Sequence, residues 1–254
     1  YLQDQLTLAE GWALTAGARA TYARAEVGRY EDISTTPHTA ASFNEDWFDL
    51  SGHLRLTDEV IKDTWLLYAS VAQSFRAPGL SDLVRYDVAR SHDISTPSPT
   101  VDPEHFVSYE IGSRLTEGHF TWHIAYFYTT VRDMIISRKR ANGLSEKINA
   151  GKGYVHGAES EIMASLTPNW SLRLGLTWME GYTHSNTGGT KIDQPLRTMP
   201  FTGYAALRWE SASRRFWAEL QGRAAAKEDR LTSSDRGDTQ RIPPGGTPGY
   251  AIAD

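Results

Sequence analysis

Arg76 stands within the run SFRAPG, residues 74 to 79, and a basic run, RKR, occupies 138 to 140. Both stand where an alternating pattern gives way to a stretch rich in Gly, Pro, Ser and Asn. Guanidinium groups at such places offer planar forks of donors that hold carboxylate or phosphate oxygens through charge-assisted hydrogen bonds. Histidine chemistry is less well served. His119 and His123 are four residues apart, which on a strand puts them on one face but roughly 13 Å from each other, too far to share a metal ion. The chain has no cysteine, so disulfides, thiolate metal sites and cysteine nucleophiles are excluded. No Gly-x-Ser-x-Gly elbow, glycine-rich phosphate loop or His-Glu-x-x-His occurs. No Ser/His/Asp set falls near one strand end on neighbouring strands, so no enzymatic activity is expected. With a net charge of -5 and no dense Lys/Arg face, nucleic acid is not an expected partner.

The elements that must position these residues are strands. Trp170, Leu172, Leu174, Leu176 and Trp178 share one face, with Ser171, Arg173, Gly175 and Thr177 on the other. The same split runs from Trp12 to Tyr22 and from Phe201 to Trp209. Alternation of this kind predicts strands near 1–8, 11–27, 43–57, 63–75, 104–116, 119–138, 153–166, 169–184, 201–211, 214–230 and from 249 onward, about eleven in all. The connections at 9–11, 58–62, 117–119, 168–169 and 212–213 are short. Those at about 28–42, 76–103, 139–152, 185–200 and 231–248 are long.

A regular succession of short and long connections, with strands beyond ordinary globular length, is the pattern of an outer-membrane barrel with short periplasmic turns and long extracellular loops. The apolar runs are far shorter than the roughly 20 residues of a membrane helix, which excludes helical spans but not strand spans. Trp12, Trp65, Trp122 and Trp170 fall toward the short turns, and Tyr128, Trp178 and Trp209 toward the long loops, as two interfacial girdles do. The fold class is therefore all-β: an antiparallel up-and-down transmembrane β-barrel fragment of about eleven strands. All 254 residues belong to one such domain. In this reading Arg19, Arg55, Arg114, Arg173, Arg208, Arg223, Glu110, Glu159, Glu161 and Glu219 line a polar interior. Phe75 faces lipid, and Arg76 turns inward at the mouth.

Six motifs, in order, resemble the TonB-dependent outer-membrane receptors: YLQDQLTLAEGWALTAGARATY (1–22), WFDLSGHLRLT (47–57), LLYASVAQSFRAPGLSDL (66–83), VDPEHFVSYEIGSR (101–114), NAGKGYVHGAESEI (149–162) and RIPPGGTPGYAIAD (241–254). The resemblance covers essentially the whole chain. It implies a 22-stranded barrel, of which this would be roughly the tenth to twentieth strands, with the plug domain, the energy-coupling box and the last strands outside these residues. It also implies residence in the outer membrane, contact with its lipid, and import of a scarce small-molecule metal chelate, driven by the TonB energy-coupling complex through the missing N-terminal region.

On that resemblance the ligand meets the long loops and the upper inner wall, where Arg76, Arg85, Tyr86, Arg90, His92, Arg138, Arg140 and His184 are the candidates. A ferric siderophore is the expected cargo, and no resident cofactor or metal is expected. Heme is the alternative, with His92 as the loop ligand, because heme receptors of the family carry a histidine between a Phe-Arg-Ala-Pro box, here 75–78, and a second box that SPTV at 98–101 only partly resembles. Imidazole is a competent axial ligand for heme iron. A basic rim equally suits lipopolysaccharide phosphates. A passive porin or an outer-membrane hydrolase are the rivals of another class.

Overall fold

The structure, a computed structural model, describes residues 1–32, 37–84, 87–88, 94–140, 143–187 and 190–254. In chain order it contains β1 (Leu2–Ala9), β2 (Trp12–Asp32), β3 (Thr39–Ile61), β4 (Trp65–Arg76), the single-turn α1 (Leu80–Leu83), β5 (Asp87–Val88), β6 (Ile94–Ser95), β7 (Glu104–Glu117) and β8 (Phe120–Lys139). These are followed by β9 (Leu144–Thr167), β10 (Trp170–Thr187), β11 (Thr190–Pro195), β12 (Thr202–Glu210), β13 (Trp217–Ala225), α2 (Ser233–Gly237) and β14 (Tyr250–Ala253). One path of antiparallel neighbours, β1-β2-β3-β4-β7-β8-β9-β10-β12-β13-β14, makes the wall, and β11 folds back on β10. These eleven strands are those that the alternation predicts. Among the described residues β1 and β14 do not pair with each other, so the sheet is open.

Register, not just parity, builds the two faces. Trp65, Leu115, Trp122, Ile162, Leu174, Ala205 and Gly222 stand side by side on seven successive strands. The next row toward the long loops reads Leu67, Ser113, Ile124, Ser160, Leu176, Gly203, Ala224. Among the described residues no second layer covers this face: Leu50 and Ile111 are each 62% exposed and Leu220 is 64% exposed. From the Trp170 row to the Trp178 row is eight residues, about 26 Å along a strand and roughly 20 Å of height at a tilt near 40°. Such a band is what a hydrocarbon layer covers. Trp209 departs from the expected girdles: it pairs with Trp170 and so stands at the short-turn end, not toward the long loops, because β12 runs from its long connection toward the short turn.

The opposite face is polar, and its charges find partners along the wall. Arg173 and Arg208 both reach Glu219, at 3.4 and 3.9 Å. The Tyr204 hydroxyl donates to Glu161 at 2.8 Å. The Arg55 guanidinium sits 4.1 Å from the centre of the Tyr68 ring, whose hydroxyl is 3.0 Å from His123 Nε2.

The structure departs from the sequence-based boundaries at the long-loop end. β2 and β3 run on to 32 and from 39, and β9 begins at 144, not 153, so much of two connections is hairpin. Above an apolar band the backbone still needs its hydrogen bonds, and continuing the ladder supplies them. The connection after β4 is built as well: α1 buries Leu83 completely, and Val101 is 4% exposed. β6 pairs in parallel with the start of β9, on the edge not used by β8. That loop therefore reaches from β4 past β7 and β8 to the far side of β9.

Candidate ligand-binding rim

The strand-ending Pro78 has no N–H to give the ladder, and Arg76, the last residue of β4, is clamped there. Its Nε donates to Glu104 Oε2 at 2.6 Å and its Nη1 to Asp82 Oδ2 at 2.9 Å. Glu104 Oε1 accepts the Ile135 N–H at 2.7 Å, and Asp82 also accepts from Gly79 N at 3.1 Å. One arginine thus ties the end of β4 to the start of β7, the last part of β8 just past its bulge, and the first turn of the loop. The Glu104 bond, against the opposing effect of burial, pushes the guanidinium pKa further up. Arg76 turns to the inner face, as its parity predicts.

Farther along the same rim, Arg138 Nε donates to Glu146 Oε1 at 2.8 Å and Arg140 Nε to Glu146 Oε2 at 2.5 Å. Arg138 shares the inward face with Met134 and Ile136. Glu146 is buried, 8% exposed, at the opening of β9. The Arg140 bond, opposed by burial and reinforced by Arg138, holds the Glu146 carboxyl below the usual carboxylate range. Two arginines on one carboxylate leave one positive charge over. The loop after β4 is stitched beside them: Thr96 N and Oγ1 both donate to Ser145 O, at 2.8 and 3.0 Å, and Lys147 N donates to Ser98 Oγ at 2.8 Å.

The other candidates lie elsewhere. His184 stands on the outward parity, the face of Trp178, with Nδ1 2.6 Å from Asp193 Oδ1. Arg85, Tyr86, Arg90 and His92 fall outside the described residues. Glu104 and Glu146, which organise the rim, are not among the candidates that the sequence offers. The signal was present for Glu146, a lone acid facing RKR across a hairpin, but Glu104 needs the β4–β7 register. Among the described residues no group of three or more His, Cys, Asp or Glu could hold a metal ion.

A family model described as TonB dependent receptor-like, beta-barrel, matches residues 1–254. The chain belongs to that family. As a TonB-dependent receptor barrel it is an outer-membrane protein that crosses lipid with strands, and among the described residues no helix is long and apolar enough to do so. No curated protein sequence matches the chain. Solved structures share the fold. The copper transporter OprC superposes with a TM-score of 0.73 at 17% identity, over 99% of this chain and 38% of that one. The ferric yersiniabactin uptake receptor FyuA from Yersinia pestis gives 0.70 at 18%, over 98% and 36%. The Serratia marcescens hemophore receptor HasR, solved with its hemophore HasA and heme, gives 0.65 at 16%, over 85% and 41%. The receptor barrel chain thus spans well under half the length of each.

Proposed function

We propose that this chain is part of the wall of a receptor that binds an anionic metal chelate, a ferric siderophore, at its extracellular mouth and imports it with energy from the TonB complex. The observation that carries this reading is the Arg138/Arg140/Glu146 cluster: inward, at the mouth, and one positive charge in excess. A ferric chelate with exposed carboxylate or catecholate oxygens can take up the donors that a single glutamate leaves unused, and in a half-dry rim such charge-assisted bonds are stronger than in water. Arg76, already shared between two carboxylates, shapes the mouth and holds the loop. Membership of the receptor family, and neighbours of the same fold whose names concern copper, ferric yersiniabactin and heme, support import of a metal species.

The test uses the purified full-length receptor and calorimetry against a panel of ferric siderophores, hemin and cobalamin. One ferric siderophore binds, and Arg138→Gln/Arg140→Gln weakens it by about 10-fold or more, the worth of one charged hydrogen bond. A Soret shift with hemin that His92→Ala abolishes would replace this reading by heme uptake. Binding of no panel member would remove it.

A further inference from the structure

Glu146 is an acid inside a cluster that takes an anion, and its placement is that of a bracket. Arg138 stands directly across the β8–β9 ladder from it, and Arg140 follows just past the end of β8. Each carboxylate oxygen serves one arginine: Oε1 takes Arg138 through Nε and Nη2, and Oε2 takes Arg140 through the same two nitrogens. Two guanidiniums so close along one chain repel each other, and each long side chain is free to sample many rotamers. A carboxylate between them removes both obstacles. Glu146 is buried and belongs to the ladder, whereas both arginine side chains reach water at 40% exposure. The fixed partner is therefore the acid, and the presented groups are the bases.

The way they are held leaves one edge of each over. Glu146 takes the Nε and Nη2 side, and among the described residues neither Nη1 has an ion-pair partner. A guanidinium carries donors on both edges, so an anion can bind at Nη1 with the carboxylate still in place. The cluster at Arg76 has the opposite balance. There Nε and Nη1 of one arginine are taken by Glu104 and Asp82, which leaves a negative charge over. Of the two clusters, only the one on the β8–β9 hairpin joins positive charge to unused donors.

We infer that Glu146 is a positioning residue of the chelate site: it stays in place when the chelate binds, and its two arginines present their free edges together to two anionic oxygens of the cargo. The inference deepens the siderophore reading and rests on it. Its sign is opposite to that of simple Coulomb attraction. Taking a negative charge away from beside an anionic ligand strengthens the attraction, but taking away the group that aligns the donors costs more than this gain, because aligned charged hydrogen bonds are what the site offers.

The experiment follows, by stopped flow, the binding of two anionic probes, a ferric tris-catecholate and ferric citrate, and of a neutral ferric trihydroxamate to the full-length receptor in detergent. Wild type binds an anionic probe. In Glu146→Gln the dissociation constant rises by about 10-fold, the worth of one charged hydrogen bond, although the cluster has gained positive charge. The association rate constant is unchanged or higher, since charge steers encounter, and the loss lies in faster dissociation. A mouth that had merely unravelled loses association as well, and that result would overturn the inference. Binding by Glu146→Gln as tight as wild type, or tighter, would make Glu146 a competitor that the chelate displaces, and would overturn it too. Where Glu146→Gln yields no closed barrel, Glu146→Asp is measured instead: its charge equals that of wild type and its shorter side chain cannot span both arginines, so dissociation again accelerates, and an unchanged rate would count equally against the inference. Loss of affinity in Arg138→Gln/Arg140→Gln with none in the Glu146 variants defeats this inference alone. Binding of the neutral probe only, or of no probe, defeats the anionic-siderophore reading and the inference together.

Discussion

At the scale of single residues the rim is governed by how few carboxylates serve its arginines. Glu146 serves two. Because its folded-state pKa is held below the ordinary value, its contribution is fully present above the unfolded carboxylate pKa and is lost as pH falls through the depressed folded value. The top of the β8–β9 hairpin is therefore expected to loosen in acid before the wall below it does. Hydrogen exchange, corrected for the intrinsic rate at each pH, should show backbone opening around Arg138 and Glu146 growing below about pH 4, with little change at Leu174 or Ile162. Glu146→Gln should produce the opened hairpin already at neutral pH and flatten the pH response. Both arginines reach water, at 40% side-chain exposure, so the local cost is about 1–2 kcal/mol, that of a lost hydrogen bond, and less than that of stranding a buried charge. A hairpin equally protected in Glu146→Gln would show that the carboxylate holds nothing.

At the scale of elements, the strands fit one another through glycines that receive aromatic rings on the inner face. Tyr68 is paired with Gly112 and Tyr204 with Gly175, and a Cβ built on either glycine would overlap the ring opposite it. The ring fills what the missing side chain leaves and brings its hydroxyl to His123 or Glu161. Gly112→Ala must push Tyr68 off its site and away from His123, an overpacking cost of about 1–3 kcal/mol. The expected readout is a lower unfolding temperature of the full receptor, substantially restored by adding Tyr68→Ala; a Gly112→Ala variant as stable as wild type would show that the ring is free to move. These elements were largely legible in the sequence, since period-2 alternation from Trp170 to Trp178 is strong and local. Counting the same parity onward puts His184 outward, and backward from Trp122 and Ile162 it fixes the sides of neighbouring strands. What local pattern cannot convey is register. That Arg132 comes to stand beside Lys152 depends on a bulge at Asp133, a residue with no glycine-like signature, and that Glu104 accepts from both Arg76 and Ile135 depends on contacts across the sheet. The parallel pairing of β6 with β9 joins residues about fifty positions apart, beyond any periodicity.

At the scale of the whole molecule, a wall whose β1 and β14, among the described residues, each pair on one side only has a definite energetic consequence. Along each edge strand alternate residues point their N–H and C=O groups away from the sheet, so β1, eight residues long, leaves roughly four of each unmet. In hydrocarbon every such group costs several kcal/mol, and two edges together exceed the 5–15 kcal/mol by which folded domains are ordinarily stable. The outer face adds a second requirement: residues such as Leu50, Ile111 and Leu220 stay uncovered, so in water the same sheet seeks another apolar surface. Neither solvent suits the open form, whereas a closed barrel satisfies both by pairing its edges and placing the band in lipid. The 254-residue polypeptide on its own is therefore expected to associate through its edges when refolded in detergent, and to give no monomeric species whose migration in SDS gels changes on heating. The full receptor refolded in the same detergent is expected to give that species. Size-exclusion chromatography with light scattering, alongside the gel assay, distinguishes the outcomes. A heat-modifiable monomer from the 254 residues alone would mean that the wall closes on itself with far fewer strands than 22.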